Sequence, residues 1–225
     1  MALGLIGGAD PALARIVTLS LELSLAAAVA GAAIGLPVGA LIAVGRFPGR
    51  RSLIVLLNAL LGLPSVVIGL VVYLLLSRAG PLGPLGILFT PAAIVVAQSL
   101  LVAPIVAALA RQVAEDAWTD YEEQLTSLGV SRLRAVPTIL WDSRFTLLTV
   151  VLAGFGRAAS EVGAVMIVGG NIDGVTRVMT TAIALETSKG DLPLALALGV
   201  ILIALVLAVN AGAYAIREWS AKHHG

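Results

Sequence analysis

Five long apolar runs dominate the chain, and one long polar segment interrupts them between the third and the fourth. The runs lie roughly at Ile16–Val44, Leu53–Ser77, Pro91–Ala110, Phe145–Gly170 and Leu192–Ile216. Each reaches the roughly 20 residues that a helix needs to cross about 30 Å of hydrocarbon. Because the runs are continuous rather than alternating, they favour helices over the strands of a membrane barrel. We therefore predict an all-α polytopic membrane protein with about five transmembrane helices, in one transmembrane domain spanning residues 16–216.

Composition agrees with this class and removes several others. The 225 residues are 59% hydrophobic and 12% charged, with a mean hydropathy of +1.04, whereas soluble domains carry about 25% charged residues. A net charge of +1 does not favour nucleic acid as a partner, and the absence of cysteine excludes disulfides and thiolate metal sites. No phosphate-binding loop, zinc-protease motif or Ser-His-Asp set is present. We expect no catalytic residues, no metal and no cofactor, so the chain is not predicted to be an enzyme.

The placement of basic residues predicts the orientation, since cytoplasmic loops collect Lys and Arg. One side holds nine of them, namely Arg46, Arg50, Arg51, Arg111, Arg132, Arg134, Arg144, Arg217 and Lys222. The other side holds four, namely Arg15, Arg78, Arg177 and Lys189. This asymmetry predicts an N-terminus outside and a C-terminus inside, a cytoplasmic loop at residues 111–144 and a short cytoplasmic tail at residues 217–225.

The chain has 14 basic and 13 acidic residues, and ten of these charged residues lie in the polar segment Arg111–Arg144. One helical stripe in it, at i, i+3, i+7 and i+10, consists of Trp118, Tyr121, Leu125 and Leu128. Gly129 is placed to end this helix in a left-handed residue, Ser131 to cap a second one and Pro137 to limit it. We predict two short helices around a tight turn. They either dock in a groove of a soluble partner or serve only as an interfacial anchor for the bundle.

The spacing inside this segment resembles that of a known family. Glu123, Gly129 six residues later and Ile139 ten residues after that match the EAA loop of ABC importer permeases. The chain departs from that pattern at four positions, which are Gln124, Leu125, Trp141 and Asp142. The resemblance implies that this loop couples to an ATPase, and the candidate coupling residues are Tyr121, Glu122, Glu123, Leu125, Leu128, Gly129, Ser131 and Ile139.

Three further runs extend the resemblance to most of the chain. They are SRAGPLGPLGILFTP, GFGRAASEVGAVMIVGGNIDGVTRVMTTAIALETSKGD and LALALGVIL, and they are similar to those of tungstate ABC transporter permeases. Molybdate and sulfate permeases are similar over Arg157–Gly170. The resemblance implies a type I ABC importer permease fold in the inner membrane, as a homodimer with two cytoplasmic ABC ATPase subunits that bind ATP and Mg. It also implies an extracytoplasmic binding protein that delivers the oxyanion.

Two sets of residues inside the predicted spans have a packing interpretation. Ala27, Gly31, Gly35 and Gly39 recur every four residues and form a smooth face that lets another helix approach closely, or slide. Proline residues at Pro37, Pro64 and Pro104 are expected to bend their helices.

Ionisable residues within the spans require a partner or water, because a charge at the centre of a helix costs about 2.5–3.5 kcal/mol to insert. Arg157 and Glu161 lie one helical turn apart and are expected to pair. The pair either makes the arginine tolerable, or it places Arg157 on the translocation path as a weak attractor for a dianion. Glu22 lies near the outer edge of the first span and is expected to be hydrated.

The outer loop Asn171–Asp191 has an apolar centre at Val178–Leu185, for which we predict a short helix that roofs the path and faces the binding protein. An ordinary surface loop is the alternative. The candidate binding-protein contacts are Asn171, Arg177, Thr180, Thr181, Glu186 and Lys189.

The leading hypothesis for function is therefore the permease subunit of an ATP-driven tungstate importer. A molybdate or sulfate importer permease, an ion-coupled secondary transporter and a purely structural membrane subunit remain as alternatives.

Overall fold

The computed structural model describes residues 11–224, and within that range the chain forms nine α-helices and one short 3₁₀ helix. The α-helices are α1 Pro11–Val44, α2 Arg50–Leu60, α3 Ser65–Leu76, α4 Pro91–Ser127, α5 Arg132–Asp142, α6 Arg144–Ala159, α7 Gly163–Gly169, α8 Met179–Lys189 and α9 Leu192–His224. The 3₁₀ helix is η1 Gly83–Leu85. The all-α prediction is confirmed, since the described residues contain no strand.

Helices α1 and α4 form the centre of the bundle and pack along the predicted small-residue face. A β-carbon on Gly31 would lie 2.5 Å from a methyl group of Val102, and one on Gly39 would lie 2.5 Å from the carbonyl oxygen of Ala107. The two backbones are therefore so close that no side chain fits between them, as the spacing of small residues predicts. Pro37 lies within α1, which continues past it as a helix.

The second predicted span is not a single helix, and this prediction was wrong. The chain forms α2 and α3, which meet at 99° across residues 61–64. Pro64 has no backbone N–H and stands immediately before α3, with φ −64° and ψ 120°. A proline in that position cannot continue the preceding helix but fits the start of the next one. Its effect is thus a break rather than the predicted bend.

The fourth predicted span is also broken. Helix α6 ends at Ala159, and the separate helix α7 begins at Gly163. At its other end α6 meets α5 at 79°. By length and apolarity, α1, α4 and α9 each suffice to cross a membrane, and the total rises to five if each of the two bent pairs, α2–α3 and α5–α6, crosses as one span.

The polar segment differs from the two predicted short helices. Its first half is the continuation of α4, a helix of 37 residues, and only α5 is a short separate helix. Pro137 lies inside α5 and does not limit it. The side chain of Ser131 makes no capping hydrogen bond, although Ser131 is the N-cap residue.

The structure describes most of the predicted C-terminal tail but not the N-terminal residues 1–10. The backbone stays helical through the predicted tail as far as His224. The N-terminal residues 1–10, which we predict to lie outside, and Gly225 of the tail fall outside the described residues.

Candidate functional site

The end of α4 reverses the chain in a Schellman turn. The N–H of Val130 donates to the carbonyl of Leu125 at 2.9 Å, and the N–H of Gly129 donates to that of Thr126 at 3.0 Å. Gly129 has φ +75°, in the left-handed region that favours glycine. The predicted role of Gly129 as the residue that ends the helix is confirmed. The turn makes α4 and α5 a hairpin, which we call the cytoplasmic hairpin (residues 111–142) after its predicted location.

An apolar cluster holds this hairpin against the end of α1. Trp118 from α4 and Ile139 from α5 are both buried there, with Val44 of α1. Leu125 is half-buried against the same cluster. Ile139 is only 1% exposed, so its side chain anchors α5 and is covered in this structure.

Arginine side chains complete the anchorage by binding the carbonyl groups that α1 leaves free at its C-terminus. Arg50 donates from Nε to the carbonyl of Ile42 at 2.8 Å, and Arg132 donates to the carbonyl of Val44 at 3.3 Å. The last carbonyls of a helix have no partner within it and carry partial negative charge, so cations there stabilise the helix end. Each arginine also pairs with a carboxylate of α4, Arg50 with Glu115 and Arg132 with Glu122.

The opposite face of the hairpin is exposed and partly apolar. Leu128 at the turn is 78% exposed. On α5, Leu133 and Trp141 are 65% and 71% exposed, and Pro137 between them is exposed as well. These three lie at i, i+4 and i+8, so they share one face of the helix, which we call the outer face of α5. The sequence analysis missed this face because its apolar stripe lies on α4 and its family match selected only the buried Ile139 of α5 as a coupling residue.

The remaining predicted coupling residues divide between exposed and paired positions. Glu123, Gly129 and Ser131 are exposed, whereas Glu122 is occupied by Arg132 and lies 3.5 Å from Arg46.

Tyr121 links the two helices of the hairpin at the end far from the turn. Its hydroxyl is hydrogen-bonded to Asp142, and this bond, with the negative charges of Asp142 and Asp120, raises the pKa of Tyr121 above its ordinary value. The cause is that each neighbour disfavours a tyrosinate. Tyr121 therefore keeps its proton to a higher pH than an isolated tyrosine does.

The predicted pair in the fourth span is present, but it lies at the break between α6 and α7. Arg157 Nη1 is 2.5 Å from Glu161 Oε2, and Glu161 Oε1 accepts from the N–H of Ala164 at 3.1 Å. Glu161 is 3% exposed. Its carboxylate therefore neutralises Arg157 and satisfies a free donor in the first turn of α7, which helps to fix the break.

Polar side chains from three other helices converge on the same break. Thr180 donates to the carbonyl of Glu161 at 2.8 Å, and Ser20 accepts from the N–H of Met179 at 2.7 Å. Gln98 donates to the last turn of α6 at 3.0 Å, while its buried Oε1 has no partner among the described residues. A cavity of about 10 Å³ lies between them, which is near the size of one water molecule.

The outer loop contains the predicted helix, which is α8. Thr180 and Thr181 face the interior and are buried, so they hold α8 in the bundle. Arg177 pairs with Asp173 at 3.1 Å, and Lys189 pairs with Glu186 at 2.8 Å. Asn171 is half-buried with φ +50°. The predicted contacts of this loop with a binding protein stay a prediction.

Comparison with known proteins adds the family. The family model described as "Binding-protein-dependent transport system inner membrane component" matches residues 35–222. The chain belongs to this family.

Relatives over nearly the whole chain support the assignment. The "Tungstate uptake system permease protein TupB" of Peptoclostridium acidaminophilum is 41% identical over 93% of this chain and 92% of its own length. A "Probable anion ABC transporter permease protein" of Haloferax volcanii is 38% identical over 95% and 94%. The "Sulfate transport system permease protein CysT" of Salmonella typhimurium is 31% identical over 72% and 61%.

As a member of the binding-protein-dependent permease family, the chain is a multi-pass inner-membrane subunit of a transport system, and the predicted permease fold is confirmed. The family description names a binding protein, so a transport system of this kind includes a partner that contacts the permease outside the membrane.

Proposed function

We propose that this permease is the membrane-spanning subunit of an ATP-driven importer that moves tungstate from a binding protein into the cytoplasm. The assignment of tungstate as the substrate depends on the 41% identity with a tungstate uptake permease over 93% of the chain. A second tungstate uptake permease, from Campylobacter jejuni, is 40% identical over 73% of the chain. Sulfate and molybdenum permeases are similar at 31% and 30%.

The cytoplasmic hairpin is the proposed docking element for an ABC ATPase subunit. Leu128 and the outer face of α5 present large apolar side chains in a segment rich in charge, and such a patch is typical of a contact with another protein. The inner side of the hairpin is bound to α1 by Arg50, Arg132 and Ile139. A force applied to α5 would therefore reach the centre of the bundle.

A second copy of the chain is the proposed partner within the membrane. Helix α3 exposes a broad apolar face, consisting of Val66, Val67, Leu70, Val71 and Leu74. A symmetric dimer would place the translocation path on its two-fold axis, next to the broken elements α2–α3 and α6–α7. Two ATPase subunits and one extracytoplasmic binding protein would complete the transporter.

Reconstitution of the permease in liposomes with its ATPase and binding protein tests the proposal. We expect tungstate uptake that requires ATP and the binding protein, with weaker competition by molybdate and sulfate. An ATPase subunit that binds but does not hydrolyse ATP is the matched control and should abolish uptake. Equal transport of sulfate would favour the sulfate alternative, and uptake driven by an ion gradient without ATP would refute the ATP-driven reading.

Gly129 provides a sharper test of the coupling role. A β-carbon at Gly129 would meet no atom within 4 Å, so a substitution there acts through backbone strain and not through a clash. Valine strongly disfavours a φ of +75°, whereas asparagine tolerates it. We expect Gly129→Val to hydrolyse ATP with reduced transport and Gly129→Asn to stay close to the wild type. Full coupling in Gly129→Val would contradict the proposed role.

A further inference from the structure

Two arginines from distant parts of the chain meet at the end of the bundle opposite the cytoplasmic hairpin. Arg15 lies in the first turns of α1, and Arg177 lies in the loop between α7 and α8. Together with Asp173 and Gly174 they line a cavity of about 420 Å³. Helix α1 separates this cavity from the hairpin, since 29 residues lie from Arg15 to Val44, or about 44 Å at 1.5 Å per residue.

The loop that carries Arg177 is held in a single shape. The hydroxyl of Thr176, which is fully buried, donates to the carbonyl of Gly169 at 2.6 Å and accepts from the N–H of Ile172 at 2.9 Å. The N–H of Arg177 donates back to the carbonyl of Ile172 at 3.0 Å. The loop therefore presents Asp173 and Arg177 from a fixed backbone, which lowers the entropy lost when a ligand binds.

Arg15 reaches the same loop from the other side. Gly174 has φ +68°, and a β-carbon on it would lie 3.4 Å from Arg15 Nη1. The guanidinium of Arg15 thus rests on the tip of the loop. Within residues 11–224 no carboxylate lies within ion-pair distance of Arg15.

Both guanidinium groups retain hydrogen-bond donors. Arg177 uses Nη1 for Asp173 at 3.1 Å, while its Nε is buried and has no partner in the described part of the chain. Asp173 is 77% exposed, so water can solvate it when the arginine turns to another anion. A guanidinium presents its donors as a fork that suits the oxygens of a tetrahedral oxyanion.

The charges in the cavity favour transient binding. Two arginines face one aspartate, and Glu22 lies beyond Arg15 in an adjoining cavity of about 560 Å³. Inside the first cavity the two arginines exceed Asp173 by one positive charge, which attracts a dianion. Glu22 in the adjoining cavity offsets that charge and limits how tightly the anion is held. Such a balance suits a site that must release its ligand inward.

We propose that this cavity is an outer receiving site for a tetrahedral oxyanion dianion. Arg15 and Arg177 donate hydrogen bonds to the anion, which replaces Asp173 as the partner of Arg177. The proposal rests on the proposed function and adds residues to it. It also gives Arg15, which sequence reasoning used only for orientation, a role in binding.

The test uses the reconstituted complex with tungstate as the probe, and it compares Arg15→Gln, Arg177→Gln and Asp173→Asn with the wild type. We expect each arginine variant to raise the half-saturating concentration of tungstate-loaded binding protein roughly tenfold, as the loss of one charged hydrogen bond predicts. Asp173→Asn should lower that concentration and also lower the maximal rate, because release becomes slower. If Arg177 and Asp173 only stabilised the loop, Arg177→Gln and Asp173→Asn would both raise the half-saturating concentration.

Two controls separate the interpretations. Arg177→Lys keeps the charge and should recover part of the loss, and Arg78→Gln removes another arginine of the predicted outer side and should behave as the wild type. Repeating the assay in liposomes of zwitterionic lipid alone removes net-anionic headgroups, so an effect of the arginine variants that vanishes there depends on anionic lipid and overturns the proposal.

The remaining outcomes are also decisive. Wild-type kinetics in both arginine variants would overturn the receiving site while leaving the proposed function intact. Failure of the wild-type complex to transport any oxyanion would instead overturn the proposed function, and the receiving site with it.

Discussion

The pair between Arg157 and Glu161 supports a quantitative prediction, because its two members differ in burial. Glu161 is 3% exposed, whereas the side chain of Arg157 is 31% exposed. In Arg157→Ala the carboxylate keeps only the N–H of Ala164, at 3.1 Å. Removing one partner of a buried pair costs about 3–5 kcal/mol, and the remaining donor and the partial exposure of the arginine favour the lower end. We expect Arg157→Ala to lose roughly 3 kcal/mol of unfolding free energy.

The partner variants separate the pair from the single residues. Glu161→Gln leaves a half-exposed guanidinium that water can reach, so we expect a loss of about 1–2 kcal/mol. The double variant Arg157→Ala/Glu161→Gln leaves no buried charge at this position. We therefore expect it to be more stable than Arg157→Ala alone. The coupling energy of the cycle should then fall within about 1–3 kcal/mol.

Denaturant titration of the purified permease in detergent measures these differences, and uptake by the reconstituted complex shows what they mean for function. If the pair only fixes the break between α6 and α7, the double variant should regain much of the uptake lost in Arg157→Ala. If Arg157 attracts the anion on the path, uptake should stay low in both while the complex still assembles. An Arg157→Ala variant within about 0.5 kcal/mol of the wild type, or additive effects in the double variant, would refute the argument.

Three further predictions concern packing, ionisation and docking. Gly35→Ala places a β-carbon 2.8 Å from the carbonyl oxygen of Ala103 and should lose about 1–3 kcal/mol in the same titration, whereas Gly199→Ala meets no atom within 4 Å and should not lose stability. Because Asp142 raises the pKa of Tyr121, absorbance titration of Asp142→Asn should show tyrosine ionisation at lower pH than the wild type; an unchanged curve would exclude that hydrogen bond. Trp141→Ala, at a residue 71% exposed, should weaken ATPase association measured by co-purification without unfolding the permease, and undiminished association would remove the outer face of α5 from the docking surface.

Local backbone chemistry explains which elements could be predicted from the sequence. Gly129 fits its left-handed position for reasons that lie within a few residues, and the four-residue spacing of Gly31, Gly35 and Gly39 directly encodes a close helix contact. Hydropathy predicted five spans, which agrees with the upper count of three to five candidate spans, but it did not predict that two of the runs are broken. The break before α3 has a local cause in Pro64.

The break after α6 was not predicted, because Arg157 and Glu161 are spaced to pair on a continuous helix as well. The donors that bind the carbonyls at the break, Gln98 and Thr180, come from other helices. The break also involves the carboxylate of Glu161, which accepts from the backbone of Ala164 and is neutralised by Arg157. Nothing in the apolarity of that run distinguishes this arrangement from a continuous helix. The same holds for the receiving site, because Arg15 and Arg177 are separated by most of the chain and only the fold brings them to one cavity.

Helix α1 joins the two proposed sites and restricts how the permease can move. Its N-terminal end holds Arg15 at the outer cavity, and its C-terminal carbonyls hold Arg50 and Arg132 of the hairpin region. Since its glycines leave no space against α4, the two helices must move as one body when the hairpin is pushed. Interiors packed this closely transmit displacement and do not absorb it. If the proposed importer opens alternately to the two sides of the membrane, we expect the changes in angle to fall on the broken elements α2–α3 and α6–α7, where the helices are already interrupted.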